Sequence, residues 1–241
     1  MIKRRDFLIL ATGALATSQA NAGLFDNIPN PISSLLGGGM NKGGIESFMH
    51  SVGICSKCLL MAESKFKTAL SDHDGAKEAQ ARATELDYLK LNGDETTKIF
   101  EGNASYMDSI DEEKLKAAAK DKEAKGALGQ AYLFTGLGVY FEKEVFDSAK
   151  AVINAVTSNP TMLLGSNLGV AQVAGVAKGV ATTVPSLTSA TISAFSTTSA
   201  FMSGNEIPVP DISAINEDLE VAGLDITPDL LDTALSVPIG G

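Results

Sequence analysis

The sequence is short of the side chains that most catalytic and metal sites need. It has no tryptophan, two histidines and two cysteines among 241 residues. It also lacks a nucleophile elbow, a phosphate-binding loop and a glutamate-rich metal helix, and its glycines do not follow the G-x-G-x-x-G pattern. These absences lower the expectation of an enzyme without excluding one, and they predict no cofactor.

Positive charge is also scarce. The chain has 19 lysines and arginines against 29 aspartates and glutamates, a net charge of −10. Three basic residues and one acidic residue lie in the first 22 positions, which leaves 16 basic and 28 acidic residues in 23–241, a net charge of −12. Such a chain repels nucleic acid and anionic lipid surfaces at long range. We therefore expect no nucleic-acid partner. The charge suits a basic partner or cations, and solubility alone would also explain it.

The first residues combine adjacent cations with a short apolar segment. Lys3 to Arg5 are all basic, Phe7 to Leu15 are mostly apolar, and Ala20-Asn21-Ala22 forms an A-x-A cleavage site. This order is typical of a cleavable export signal. The apolar segment is shorter than the ~20 residues that a membrane-spanning helix needs. Residues 1–22 are therefore predicted to direct export and to be removed.

The paired arginines indicate which type of export signal this segment is. Arg4-Arg5-Asp6-Phe7-Leu8 resembles the R-R-x-F-L core of twin-arginine export signals. Lys3 stands where those signals usually have Ser or Thr, and Ile9 stands where they usually have Lys. An ordinary secretory signal and an uncleaved anchor remain as alternatives. The resemblance covers residues 1–22 only, and it implies that the protein is exported in the folded state and is periplasmic.

The remaining chain divides by composition. Residues 23–44 are rich in glycine and proline and are predicted to form a flexible lead. Residues 45–204 are predicted to form a helical bundle domain, and residues 205–241 an acidic tail with prolines and short helices. Since no convincing strand alternation occurs, we predict an all-α fold, an antiparallel helical bundle with a long central hairpin.

Apolar spacing locates the individual helices. Steps of three and four predict a first helix from Ile45 to Ala69. A second helix is expected over 76–91, a brief helix with a loop over 94–110, and a long helix from about Asp111 to Asn159. A short helix with Pro228 in its first turn is expected through Leu235.

The middle of the chain is unusual because Ala151–Ala177 and Gly179–Asn205 each contain 27 residues without a charge. Pro185 is expected to divide this region into helices at about 161–183 and 186–203, which form the central hairpin. Small residues recur at every fourth position of the first of these helices, a spacing that allows two helix backbones to approach closely. They are Ala171, Gly175, Gly179 and Thr183.

Three interpretations of this charge-free region are possible. We favour a core hairpin covered by the other helices. A membrane-inserting hairpin formed by residues 151–205 is less favoured, because Gly179–Asn205 contains 12 serines and threonines. A self-association surface is the third possibility.

Cys55 and Cys58 form a C-x-x-C pair. Leu59 follows the pair, which excludes the usual haem attachment motif. A metal site would need His50 and His73 to complete its ligands. A redox pair would normally lie at a helix N-terminus, whereas this one falls inside the first helix. We favour a structural disulfide, which an oxidising periplasm promotes.

The acidic tail has aspartates at steps of seven, Asp211, Asp218, Asp225 and Asp232. This spacing lacks the dense D-x-D-x-D-G arrangement of a calcium loop. We expect a solvated tail whose short helices pack through five apolar side chains, Leu219, Leu224, Ile226, Leu230 and Leu231.

These features favour an exported, non-enzymatic structural or interaction protein of the cell envelope. Its partner would be an envelope protein or a second copy of the chain. One alternative is a lipid-binding or membrane-inserting protein that uses residues 151–205. The other is a thiol or metal protein that uses Cys55 and Cys58.

Overall fold

The computed structural model describes residues 41–207 and 209–235. The predicted export signal, with Arg4, Arg5, Phe7, Leu8, Ala20 and Ala22, and most of the predicted lead lie outside these residues. Within the described ranges the chain forms eight α-helices and no strand, so the all-α prediction is confirmed. The helices are α1 (Lys42–Ala69), α2 (His73–Glu85), α3 (Gly93–Asp108), α4 (Glu112–Ala118), α5 (Lys122–Ser158), α6 (Val170–Gly204), α7 (Asn216–Ala222) and α8 (Pro228–Leu235).

Aspartate and asparagine side chains begin the first five helices. Each accepts a hydrogen bond from a backbone N–H in the first turn, where the helix itself supplies no acceptor. The Asn41 side chain accepts from Gly44 N at 2.9 Å, and the Asn92 side chain accepts from Glu95 N at 3.0 Å. The same role falls to Asp72, Asp111 and Asp121.

Four helices build the core. α1 packs against α5, α5 packs against α6, and α6 packs against α3, while α2 covers α1 and α8 lies on α5. The rings of Tyr132 and Phe195 stack with centroids 4.3 Å apart, and farther along α5 Glu142 faces Thr188 and Thr191. α5 and α6 therefore run antiparallel. Phenylalanines fill the interior without exposure, namely Phe48, Phe66, Phe100 and Phe134.

The charge-free region does not form the predicted hairpin of two helices separated at Pro185. Pro185 lies inside α6, which continues from Val170 to Gly204 as one helix. A proline inside a helix removes one hydrogen bond and costs about 3 kcal/mol. Val184 and Leu187 on either side are almost completely buried, and burial of this kind offsets the cost. The antiparallel partner of α6 is α5 rather than a second half of the same region.

Three other helix predictions differ from the structure. The second helix ends at Glu85 rather than residue 91, because Asn92 begins α3 instead of ending the helix before it. Residues 93–108 form a full helix where a brief helix and a loop were expected. The long helix expected from Asp111 is interrupted, since Asp121 starts a new helix after α4.

α6 buries its apolar face and presents hydroxyl groups to solvent. Val173, Val176 and Val180 are completely buried. The exposed face carries one charge, at Lys178, and is otherwise made of small residues such as Thr182 and Ser189. Among the residues that the structure describes, no helix combines the length and apolar character required for a membrane span.

The acidic C-terminal segment is folded onto the bundle. Lys65 Nζ donates to Asp218 Oδ1 at 2.7 Å, and Lys57 Nζ donates to the Ala222 carbonyl oxygen at 2.5 Å, so two lysines of α1 hold α7. Gly223, at φ +63°, ends α7 in the left-handed conformation that favours glycine. Four of the five apolar residues expected to pack the tail are buried and Leu230 is half-buried, the buried ones being Leu219, Leu224, Ile226 and Leu231.

Candidate functional site

The two thiols lie in the interior, where α1 meets α5. Cys55 and Cys58 are both completely buried. Both are free cysteines, so the structure does not contain the predicted disulfide. The Cys55 thiol is directed across the interface, with Sγ 3.9 Å from the carbonyl oxygen of Gly138 on α5. The helix places this thiol against α5 instead of against Cys58.

A carboxyl group shares this part of the core. Glu142 is completely buried on α5 and faces the hydroxyl groups of Thr188 and Thr191 on α6. The Thr191 hydroxyl donates to the Leu187 carbonyl oxygen at 2.8 Å, and neither Glu142 oxygen has a hydrogen bond of ordinary geometry within the described chain. We call Cys55, Cys58, Glu142, Thr188 and Thr191 the buried polar cluster.

Burial makes the thiols of this cluster poor nucleophiles. It is the largest cause of the raised pKa of Cys55, and the charges of Glu142, Cys58 and Glu144 add to it. Burial also raises the pKa of Cys58 to about 12, against a small lowering by Lys57. Reactive cysteines have low pKa values and are partly exposed. Both side chains therefore act as small apolar groups in the core.

We expect both thiols to resist Ellman's reagent in the native protein and to react fully once it is unfolded. Their reaction requires the core to open, because both are buried and protonated. A Ser189→Cys variant is the matched control, since Ser189 is exposed on α6 and its new thiol should react at once. Rapid reaction of the native wild-type thiols would contradict this placement. No reaction after unfolding without reductant would instead indicate a disulfide.

The weak metal candidates are not brought together. His50 and His73 are exposed, whereas Cys55 and Cys58 are buried. In the described ranges there is no group of three or more His, Cys, Asp and Glu side chains that could hold a metal ion. Over residues 41–207 and 209–235, the C-x-x-C pair has no neighbouring ligands that would complete a structural zinc site.

The small residues of α6 lie against the beginning of α3. The backbone of Gly175 is so close to Gly93 that a Cβ on Gly93 would lie 2.7 Å from the Gly175 carbonyl oxygen. A Cβ on Gly179 would lie 3.1 Å from the Gly93 carbonyl oxygen. Thr183 is buried, and Ala171 is exposed in the first turn. Of the four small residues spaced four apart on α6, Gly175 and Gly179 are therefore the two that make a backbone-to-backbone contact with Gly93 of α3.

The Gln172 side chain also connects the start of α6 to the start of α3. Its Nε2 donates to the carbonyl oxygens of Leu89 at 2.7 Å and Leu91 at 2.8 Å, just before α3 begins. Its Oε1 accepts from Gly169 N at 3.3 Å at the start of α6. One side chain thus joins the two helix N-termini that meet at Gly93 and Gly175.

The sequence interpretation missed a surface cleft of about 330 Å³ between α1, the segment after α2 and the end of α7. His50 and Tyr88 line it with their rings edge to face, 5.2 Å apart. A Cβ on Gly53 would lie 2.7 Å from Tyr88 Cβ, so this glycine lets Tyr88 approach α1. Lys57 also lines the cleft, and its pKa is lowered mainly by burial.

Glu142 was also missed, although its position in the sequence contains a signal. It precedes Val145 by three residues and so continues the buried stripe of Val145, Ala149 and Val152 on α5. The run Glu142-Lys143-Glu144 has the composition of a solvated turn, which conceals this periodicity. All three residues are nevertheless buried.

Comparison of the chain with protein-family models, with curated proteins and with solved structures finds no significant match.

Proposed function

We propose that the protein is an exported, non-enzymatic structural or interaction protein of the cell envelope. It reaches the periplasm through the twin-arginine signal at residues 1–22 and binds a partner that carries positive charge. The proposal is based mainly on the distribution of charge in the structure. The apolar face of α6, which holds most of the charge-free region, is packed against the bundle, and the acidic side chains of the C-terminal segment lie on the surface.

The C-terminal segment supplies most of this argument. Residues 206–241 contain eight acidic residues and no basic one. Of these eight, Asp218 is the one that is buried, in its ion pair with Lys65, and the others are exposed. The attachment of α7 to α1 therefore holds exposed carboxylates, those of Glu217 and Glu220, at fixed positions. Such a surface attracts basic partners and repels anionic ones.

Export can be tested in the native host by fractionation of a C-terminally tagged chain. We expect the wild type in the periplasm, shortened at Ala22, and an Arg4→Lys/Arg5→Lys variant in the cytoplasm at full length. A Lys3→Gln variant is the control, because it removes a neighbouring charge and keeps both arginines. Export of the double-lysine variant would contradict the twin-arginine route, and cytoplasmic wild type would contradict export itself.

Partner binding can be tested with charge-neutral variants of the purified protein. Three exposed acids of the C-terminal segment are neutralised in Glu217→Gln/Glu220→Gln/Asp232→Asn. Three exposed acids of the α2–α4 region are neutralised in the control Glu78→Gln/Glu101→Gln/Glu113→Gln. We expect the first variant to lose salt-sensitive cross-links to an envelope protein and the control to keep them. Equal cross-linking by both variants would contradict a role for this surface.

A further inference from the structure

Glu142 is a buried acid that the proposed binding role does not use. It occupies the interface of α5 with α6 and α1, and its side chain has no solvent exposure. Its two chain neighbours differ from it, because Lys143 and Glu144 each retain some exposure and an interaction partner. Glu142 is therefore the member of this charged run whose carboxyl group depends entirely on the surrounding helices.

The groups that face Glu142 can be named element by element. α6 supplies the hydroxyls of Thr188 and Thr191, and α1 supplies the Cys55 thiol. Glu144, on α5 itself, acts on Cys55 as Glu142 does and is not among the groups that shift the pKa of Glu142. α8 also packs on α5, where its apolar Leu235 lies against Gly136, six residues before Glu142. Across the described chain, no cation is among the groups that act on the Glu142 carboxyl.

This environment suits a neutral carboxyl better than a carboxylate. A buried carboxylate without a cation or several donors is very costly, so the group retains its proton instead. Thr191 has already given its hydroxyl hydrogen to the Leu187 carbonyl oxygen. Thr188 Oγ1 has no partner, and it can accept a hydrogen bond from the protonated carboxyl. Burial is the main cause that raises the pKa of Glu142 to about 8.

We propose that protonated Glu142 keeps the interface of α1, α5 and α6 closed. We call this pH-dependent switch the lock. With the proton present, α1, α5 and α6 close around a neutral carboxyl group. Loss of the proton leaves an uncompensated charge in the interface and loosens α6 from α5, which exposes the charge-free face of α6. The lock goes beyond the binding role proposed above, because it concerns a different surface and responds to pH.

The direction of the pH effect follows from the two states. In the unfolded chain Glu142 ionises near the ordinary glutamate pKa of 4.5, and in the folded chain near 8. Between these values the folded state holds a proton that the unfolded state has lost. Stability therefore falls as pH rises, by about tenfold in the opening equilibrium constant for each pH unit. Above about pH 8 both states are ionised, and this group adds no further change.

Amide hydrogen exchange of the purified protein from pH 5 to 9 tests the lock, with urea unfolding alongside. We expect opening of residues 180–200 to increase across this range beyond the intrinsic base dependence of exchange. Glu142→Gln should be more stable than the wild type at pH 8 and should lack this increase. Glu123→Gln is the matched control, since Glu123 is exposed on the same helix, and it should keep the wild-type profile.

Two outcomes would overturn the lock. One is a wild-type profile without the increase, and the other is a Glu142→Gln profile that still shows it.

If Glu142→Gln does not fold, carbon-13 NMR of the wild-type glutamate carboxyls provides the test. We expect one carboxyl to titrate several pH units above the others, and ordinary midpoints for all of them would refute the proposal. Cys55→Ala should keep the increase, which assigns it to the carboxyl instead of the thiol.

Discussion

Gly93→Ala is expected to lower the free energy of unfolding by about 3 kcal/mol, the upper range for overpacking a closed interface. The added Cβ would lie 2.7 Å from the Gly175 carbonyl oxygen, 2.8 Å from its carbonyl carbon and 3.0 Å from its Cα. These are backbone atoms inside a helix, and they cannot move aside as the end of a flexible side chain can. α3 and α6 must separate, and the hydrogen bonds of Gln172 to Leu89 and Leu91 are strained with them.

Gly102→Ala is the control for this change. Gly102 lies on the same helix, and a Cβ there would meet nothing within 4 Å. The greater helix propensity of alanine should stabilise that variant by up to about 1 kcal/mol. Urea unfolding monitored by circular dichroism measures both effects. Equal effects of the two substitutions would show that α3 and α6 are not in backbone contact.

Val180→Asp is expected to destabilise the protein by about 4 to 5 kcal/mol, enough to unfold a domain of marginal stability. Val180 is completely buried on α6, so the new carboxyl group would enter the core without a charge partner. The destabilisation should decrease at low pH, where the carboxyl group is protonated and neutral. Thermal unfolding between pH 4 and pH 8 measures both the loss and its pH dependence.

Thr182→Asp, two residues farther along α6, should change the free energy of unfolding by no more than about 0.5 kcal/mol. Thr182 is exposed, and its hydroxyl is bonded to carbonyl oxygens of its own helix, so no contact with another helix is lost. Because residues two positions apart are about 200° apart around a helix, Val180 and Thr182 lie on opposite faces, and their contrast distinguishes a helix buried on one face from one buried on both. Severe destabilisation by Thr182→Asp would indicate that the outer face of α6 is also covered.

The sequence predicts the parts of this fold that depend on local patterns. The apolar stripe from Ile45 to Ala69 determines α1, since a period of three and four residues over many turns has few other structural solutions. The small residues Gly175 and Gly179 were recognised for the same reason. Their partner at Gly93 could not be predicted, because it lies far away in the chain and is an ordinary glycine after Asn92.

At Pro185 and Glu142, tertiary packing overrides the structure that the local sequence predicts. Pro185 predicts a helix break, yet burial on both sides of it holds α6 as one helix. Glu142 has the sequence context of a surface residue, yet it lies in the core because it occupies the stripe of Val145 and Ala149. The disulfide prediction depended on compartment and spacing, whereas the direction of the Cys55 side chain depends on how α1 rotates against α5.

The central claim of this account is that the apolar face of α6, which contains most of the charge-free region, is buried against α3 and α5. Residue-resolved hydrogen exchange over 170–204 in water, without lipid, tests it most directly. We predict that at pH 5, where Glu142 holds its proton, buried positions on both sides of Pro185, such as Val180 and Thr191, exchange only through global unfolding. Rapid exchange of 186–204 in water, or protection that develops only when liposomes are added, would contradict the claim.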